Sequence, residues 1–209
     1  YLFGVNWQAY VLHASVFNAI ITISTFFILK NFKLKTEYCF LYSLLLSILA
    51  YPSSGTPFID HHSSFFSLLA IYSLLFAINN KRSYNWVLTP ILFGLAFLSK
   101  QVPAAYIILT IGFVLLLYFF TSKKIKNIQY FLIGVFLFII SILIFGNLQN
   151  ITLSSFLDQF IFYPQTIGLS RFSNLTLSLS IAEKFVFILI SISLLIYVNI
   201  NNFFVVNNY

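Results

Sequence analysis

Asp60, His61 and His62 stand side by side after Tyr51-Pro52-Ser53-Ser54-Gly55-Thr56-Pro57-Phe58-Ile59, a run that two prolines and a glycine keep out of regular helix. The chain holds four acidic residues and three histidines, so a carboxylate beside two imidazoles concentrates groups able to take a proton near neutral pH or to ligate a divalent metal. Neighbouring residues on a helix diverge by about 100°, which lets at most one of the two imidazoles join Asp60 on a given centre. The expected catalytic set is Asp60, His61 and His62, with Asp60 and His61 as the pair for a divalent metal. No HExxH or CxxC spacing supplies a complete zinc shell. The residues also admit a plainer reading: Asp60 caps the helix that follows and the histidines anchor it at the membrane interface. His13, alone in the first apolar run, reads as a hydrogen-bonded packing residue.

Lys100 is the second position of chemical interest. It falls in Phe93-Gly94-Leu95-Ala96-Phe97-Leu98-Ser99-Lys100-Gln101-Val102-Pro103-Ala104-Ala105, where a lysine between apolar runs either snorkels along its alkyl stem or binds an anion. Tyr163-Pro164-Gln165-Thr166-Ile167-Gly168-Leu169-Ser170-Arg171 is the other polar stretch, and there Arg171 reads equally as a solvated loop residue.

The elements that must position these groups are membrane spans. The composition is 60% hydrophobic and 7% charged, with 27 Phe, more apolar surface than a soluble core hides. Spans are expected at about Tyr10 to Leu29, Tyr38 to Ala50, Ser64 to Ile78, Trp86 to Leu98, Ala104 to Phe120, Ile128 to Phe145 and Ala182 to Val198. The fold class is therefore all-α, a polytopic transmembrane bundle of about seven spans. It forms one transmembrane domain over 1–209, with external loops near 51–63, 99–103 and 146–181.

Charge sets the orientation. Lys30, Lys33 and Lys35 follow the first span, Lys81 and Arg82 the third, and Lys123, Lys124 and Lys126 the fifth, whereas the alternate connections hold Lys100 and Arg171. By the positive-inside rule the first set is cytoplasmic, and Asp60, Lys100 and the 146–181 loop lie outside. The net charge of +7 is thus distributed along the chain and forms no nucleic-acid patch. The second and fourth spans are apolar for about 13 residues, roughly 20 Å of a core about 30 Å thick. Their outer ends lie below the membrane surface, so Asp60 and Lys100 are expected in recesses on one face, within roughly 10 Å of each other or of a shared anion. Pro103 is expected to keep the backbone non-helical after Lys100. The single Cys39 excludes an internal disulfide. The chain has no Met and opens in mid-pattern, which reads as a fragment.

Gly94-Leu95-Ala96-Phe97-Leu98-Ser99-Lys100-Gln101-Val102-Pro103-Ala104 resembles a Gly-Leu-Ala-x-Leu-(Thr/Ser)-Lys-Gly-Pro-x-Ala stretch of the GT-C superfamily. The likeness is to its protein O-mannosyltransferases and lipid A aminoarabinose transferases, with Gln101 and Val102 here in place of one glycine. Thr56-Pro57-Phe58-Ile59-Asp60-His61-His62 is similar to the acidic motif that the superfamily carries at a short external loop. The resemblance covers about Tyr10 to Phe120. It implies a membrane glycosyltransferase that moves a sugar from a polyprenyl phosphate to a lipid, protein or glycan acceptor. Its active site would lie on the outer face of a bacterial inner membrane. It also implies that a first helix and first external loop, carrying another carboxylate, precede Tyr1, and that the fragment alone is inactive. On this reading Lys100 and Gln101 meet the donor phosphate, and Tyr163 and Arg171 make further substrate contacts. No nucleotide-binding motif is present. A proton-coupled transporter of an anion, relayed by Asp60, His61 and His62, is the alternative, but the sequence has no internal repeat to support it.

Overall fold

The computed structural model describes residues 6–50, 59–80, 82–122 and 125–167, with isolated positions at 186, 190 and 193, and the side chains of 59, 60, 121, 122 and 125 are excluded. Two compact units are present, Tyr1–Pro164 and Gln165–Tyr209; the site and all packing below belong to the first. The expected span at 182–198 lies outside the described residues.

Six helices carry the bundle: α1 (Trp7–Asn31), α2 (Thr36–Leu49), α3 (Ile59–Asn80), α4 (Ser83–Ser99), α5 (Gln101–Ser122) and α6 (Ile125–Leu148). A short α7 (Leu153–Leu157) runs into a π-helical turn (Asp158–Phe162) and a further helical stretch at 163–167. The described residues contain no strand. α1, α3, α5 and α6 are long and apolar enough to cross a membrane, while α2 and α4 are apolar but shorter, as the sequence pattern requires. Phe120 is 78% exposed and Phe136 63%. Rings left so open on long helices have lipid as their solvent, and the protein is an integral membrane protein. Hydroxyls on these faces turn back on their own helices, Ser15 to the Val11 carbonyl, Thr110 to Tyr106 and Ser141 to Leu137. No water in hydrocarbon would otherwise satisfy them.

The bundle is closest around α3. Ser63, Ser67, Ala70, Leu74 and Ala77 are buried along one stripe at alternating spacings of four and three, and small side chains there let α3 approach α4 closely. The facing stripe of α4 is Trp86, Thr89, Phe93 and Ala96, all buried. Trp86 stacks on Tyr118 of α5 at 5.8 Å and meets Phe119 at 5.5 Å, sealing the lysine-rich end of the core with Leu74, Ala77 and Leu115. α6 lies against the other side of α4, where Gly134 meets Val87 and Pro90, and Phe138 covers Gly94. A side chain at either glycine would collide with its neighbour.

Three local expectations change. α3 begins at Ile59, so Asp60, His61 and His62 form its first turn and do not stand in a loop before it; the first turn has no intrahelical partners for its N–H groups and tolerates polar residues. Pro103 lies inside the first turn of α5, where a missing N–H removes no hydrogen bond, and the non-helical break is Lys100 alone, extended at φ −156° and ψ 124°. Within 146–181, residues 153–167 are helical, and those after 167 lie outside the described residues.

Candidate active site

Asp60 enters the site through its backbone, in the opening turn of α3; its side chain lies outside the described residues. Ser63, in that same turn and fully buried, donates from Oγ to the carbonyl of Lys100 at 3.2 Å. This bond fastens the start of α3 to the junction of α4 and α5, two segments that the sequence separates by 37 positions. Lys100 is half-buried, and its N–H closes α4 by donating to the Ala96 carbonyl at 3.0 Å. Ala96 and Ala104, on either side of the break, are fully buried, so the peptide of Lys100 is locked into the core. Gln101 follows as the half-buried first residue of α5. The start of α3 and the backbone of Lys100 thus meet at one end of the bundle through Ser63.

The two histidines diverge, as their helical spacing requires. His62 Nε2 lies 2.6 Å from Nε2 of His13 on α1, with the rings stacked at 4.9 Å. One nitrogen must donate and the other accept, so the pair contains at least one neutral ring. Phe17 packs edge-on against His62 at 5.0 Å and Phe66 at 5.4 Å, which holds α1 to the first two turns of α3. His61 lies on another side of α3, with its ring 6.4 Å from Phe65. The commitment of His62 to His13 removes one ring nitrogen from any ligand set. Among the described residues no three of His, Cys, Asp and Glu gather about a point. The Asp60 carboxylate, first of the expected metal ligands, lies outside the described residues.

Tyr163 is exposed and closes the π-helical turn, its N–H bonding to the Asp158 carbonyl; Arg171 lies outside the described residues. The sequence did not single out the apolar cavity of about 670 Å³ between α4, α6 and the helix from Leu153, lined by Leu95, Leu98, Phe138, Phe145, Phe156 and Phe160. Leu98 places one wall of it two residues from Lys100. A cavity lined by apolar side chains in this way suits a hydrocarbon tail.

Over residues 1–145 the chain matches the family described as dolichyl-phosphate-mannose-protein mannosyltransferase. It belongs to that family. The match spans more than half of the 209 residues and includes Asp60, Lys100 and the helices that join them. No curated protein and no solved structure matches the chain. Membership makes this a GT-C-type membrane glycosyltransferase, of a family that uses polyprenyl-phosphate-linked sugar donors.

Proposed function

We propose that the protein transfers a sugar from a polyprenyl phosphate to an acceptor hydroxyl at the lysine-poor end of the bundle, on the outer face of a bacterial plasma membrane. The observation that carries this reading is the Ser63 bond to the Lys100 carbonyl, which joins the turn of Asp60 to the only lysine of that end among the described residues. The Lys100 ammonium and the Gln101 amide bind the donor phosphate, and the polyprenyl tail enters the cavity that begins at Leu98. Asp60 takes the proton of the acceptor hydroxyl as its oxygen forms a bond to the anomeric carbon. The bond from that carbon to the phosphate oxygen breaks, and the phosphate leaves with the electron pair, its new charge held by Lys100. His62 acts at a remove: its bond to His13 positions the turn. His61, Tyr163 and Arg171 are left for the acceptor, which is a lipid, a protein or a glycan.

The test is transfer of labelled sugar from polyprenyl phosphate, mannose first, in membranes carrying the intact protein at matched levels. Asp60→Asn keeps the shape and removes the base. Transfer in the parent and its loss in this variant support the reading; undiminished transfer in Asp60→Asn removes Asp60 from the chemistry.

A further inference from the structure

The opposite end of the bundle holds a second opening that the transferase reading does not use. A groove of about 700 Å³ runs between α1 and α4, with α3 as its floor. Its inner part is mainly apolar, with Ile20 and Phe27 on α1, Leu69 and Phe76 on α3, and Leu88 and Leu92 on α4 beside the hydroxyls of Ser24, Tyr72 and Ser73. Its mouth is polar and basic, formed by Lys30 and Asn31 at the end of α1, Asn80 at the end of α3, and Arg82 and Tyr84 at the start of α4. Tyr72 bonds Thr25 across the floor at 3.0 Å, and Ser73 bonds the Asn85 carbonyl at 3.0 Å, so α1, α3 and α4 are tied beneath the opening.

Three features of the mouth call for an anion. Lys30 donates to the Thr36 hydroxyl at 2.6 Å and Arg82 to the Tyr84 hydroxyl at 3.0 Å; neither cation has a carboxylate partner among the described residues. The bond to Tyr84 raises the pKa of Arg82 further, so its charge persists at any physiological pH. The Asn31 amide nitrogen is buried and has no acceptor among the described residues, a donor left waiting for an oxygen. Arg82, the residue preceding α4, places no side-chain cap on that helix, so the positive end of a 17-residue helix opens beside the two cations.

The dimensions choose between a free anion and a lipid. Lys30 is ten residues from Ile20, and Arg82 ten from Leu92, a depth of about 15 Å, half of a hydrocarbon core about 30 Å thick. The groove therefore spans one leaflet, with its charged rim at the headgroup level and its apolar wall at the level of the acyl chains. The rim belongs to the lysine-rich end, which the positive-inside rule assigns to the cytoplasmic side, where anionic lipids create a negative surface. We infer that this groove is a binding site for an anionic phospholipid of the cytoplasmic leaflet, its phosphate held by Lys30, Arg82 and Asn31 and one acyl chain laid between α1 and α4.

The test uses the intact protein in nanodiscs of zwitterionic lipid, titrated with phosphatidylglycerol and read by native mass spectrometry as lipid retained per protein. Retention of phosphatidylglycerol over phosphatidylcholine by the parent is expected. It should fall about tenfold or more in Lys30→Gln/Arg82→Gln, each cation near the surface contributing a few-fold, and return in Lys30→Arg/Arg82→Lys. Ser24→Phe, which fills the slot and keeps both cations, should also lose the lipid, whereas Lys126→Gln, a basic residue of the same end but outside the groove, should retain it. Displacement by millimolar inorganic phosphate, or unchanged retention in Ser24→Phe, would identify a site for phosphate alone and overturn the lipid assignment. Equal retention of both lipids, or a loss in Lys126→Gln as large as in the double variant, would reduce the effect to surface charge.

Discussion

Cross-helix bonds tie both ends of one set of helices, at the lysine-rich end between Tyr72 and Thr25 and from Ser73 to the Asn85 carbonyl, but the ends differ in the polar groups nearest their mouths. At the lysine-poor end these groups bond to protein on another helix: Ser63 reaches Lys100, His62 reaches His13, and Asn18 reaches the Ser47 carbonyl at 3.0 Å. At the lysine-rich end, among the described residues, Lys30 and Arg82 reach neighbours six and two residues away, and the Asn31 amide nitrogen has no acceptor. Cross-helix bonds between hydrocarbon-immersed segments fix relative position, which transfer chemistry demands to within fractions of an ångström. Cations left on local hydroxyls keep their capacity for a ligand from outside. One end is built to hold reactants still, and the other to be filled by the bilayer.

Four substitutions sharpen that contrast. The largest effect is expected from Asp60→Asn, with labelled-sugar transfer reduced about 100-fold or more and donor KM nearly unchanged, because a base acts in the transition state and not in binding. Lys100→Gln should raise donor KM about tenfold, the loss of one charge-assisted bond to phosphate, in steady-state assays over a range of donor concentrations. His62→Phe should leave transfer within about threefold and lower stability by about 1 kcal/mol in a reversible unfolding titration, the usual size of an interhelical hydrogen bond in a membrane. A 100-fold loss of transfer without loss of stability would make His62 a chemical participant. Lys126→Gln, at the other end, should change neither rate nor stability measurably.

The fold was readable because its causes are local. Runs of apolar residues long enough to cross, and two that are too short, give the order of α1 to α6. The cluster of Asp60 and Lys100 at one end follows from the same count. Other features depend on which faces meet, and composition alone hides that. With 27 Phe, no pattern distinguishes Phe138, Phe156 and Phe160, which line a cavity, from Phe120 and Phe136, which face lipid. His13 was read as a hydrogen-bonded packing residue, yet its partner is fixed only when α1 docks on α3. The stripe Ser63, Ser67, Ala70 and Ala77 was the available signal, since small residues at that spacing mark the close helix contact that brings Ser63 to Lys100. The start of α3 was placed late because polar residues weaken an apolar pattern while remaining at home in a first helical turn.

The central claim is that the first turn of α3 and the α4–α5 junction address one donor from the non-cytoplasmic side. Single cysteines at His61 and Gln101 test it directly, because the native Cys39 is fully buried and contributes little background labelling. A membrane-impermeant thiol reagent added from either side of sealed vesicles, with and without polyprenyl-phosphate mannose, reports both face and ligand. Labelling of both positions from the outer side alone, slowed over the same donor concentrations, is the predicted result; labelling from the cytoplasmic side, or protection of one position and not the other, would contradict it.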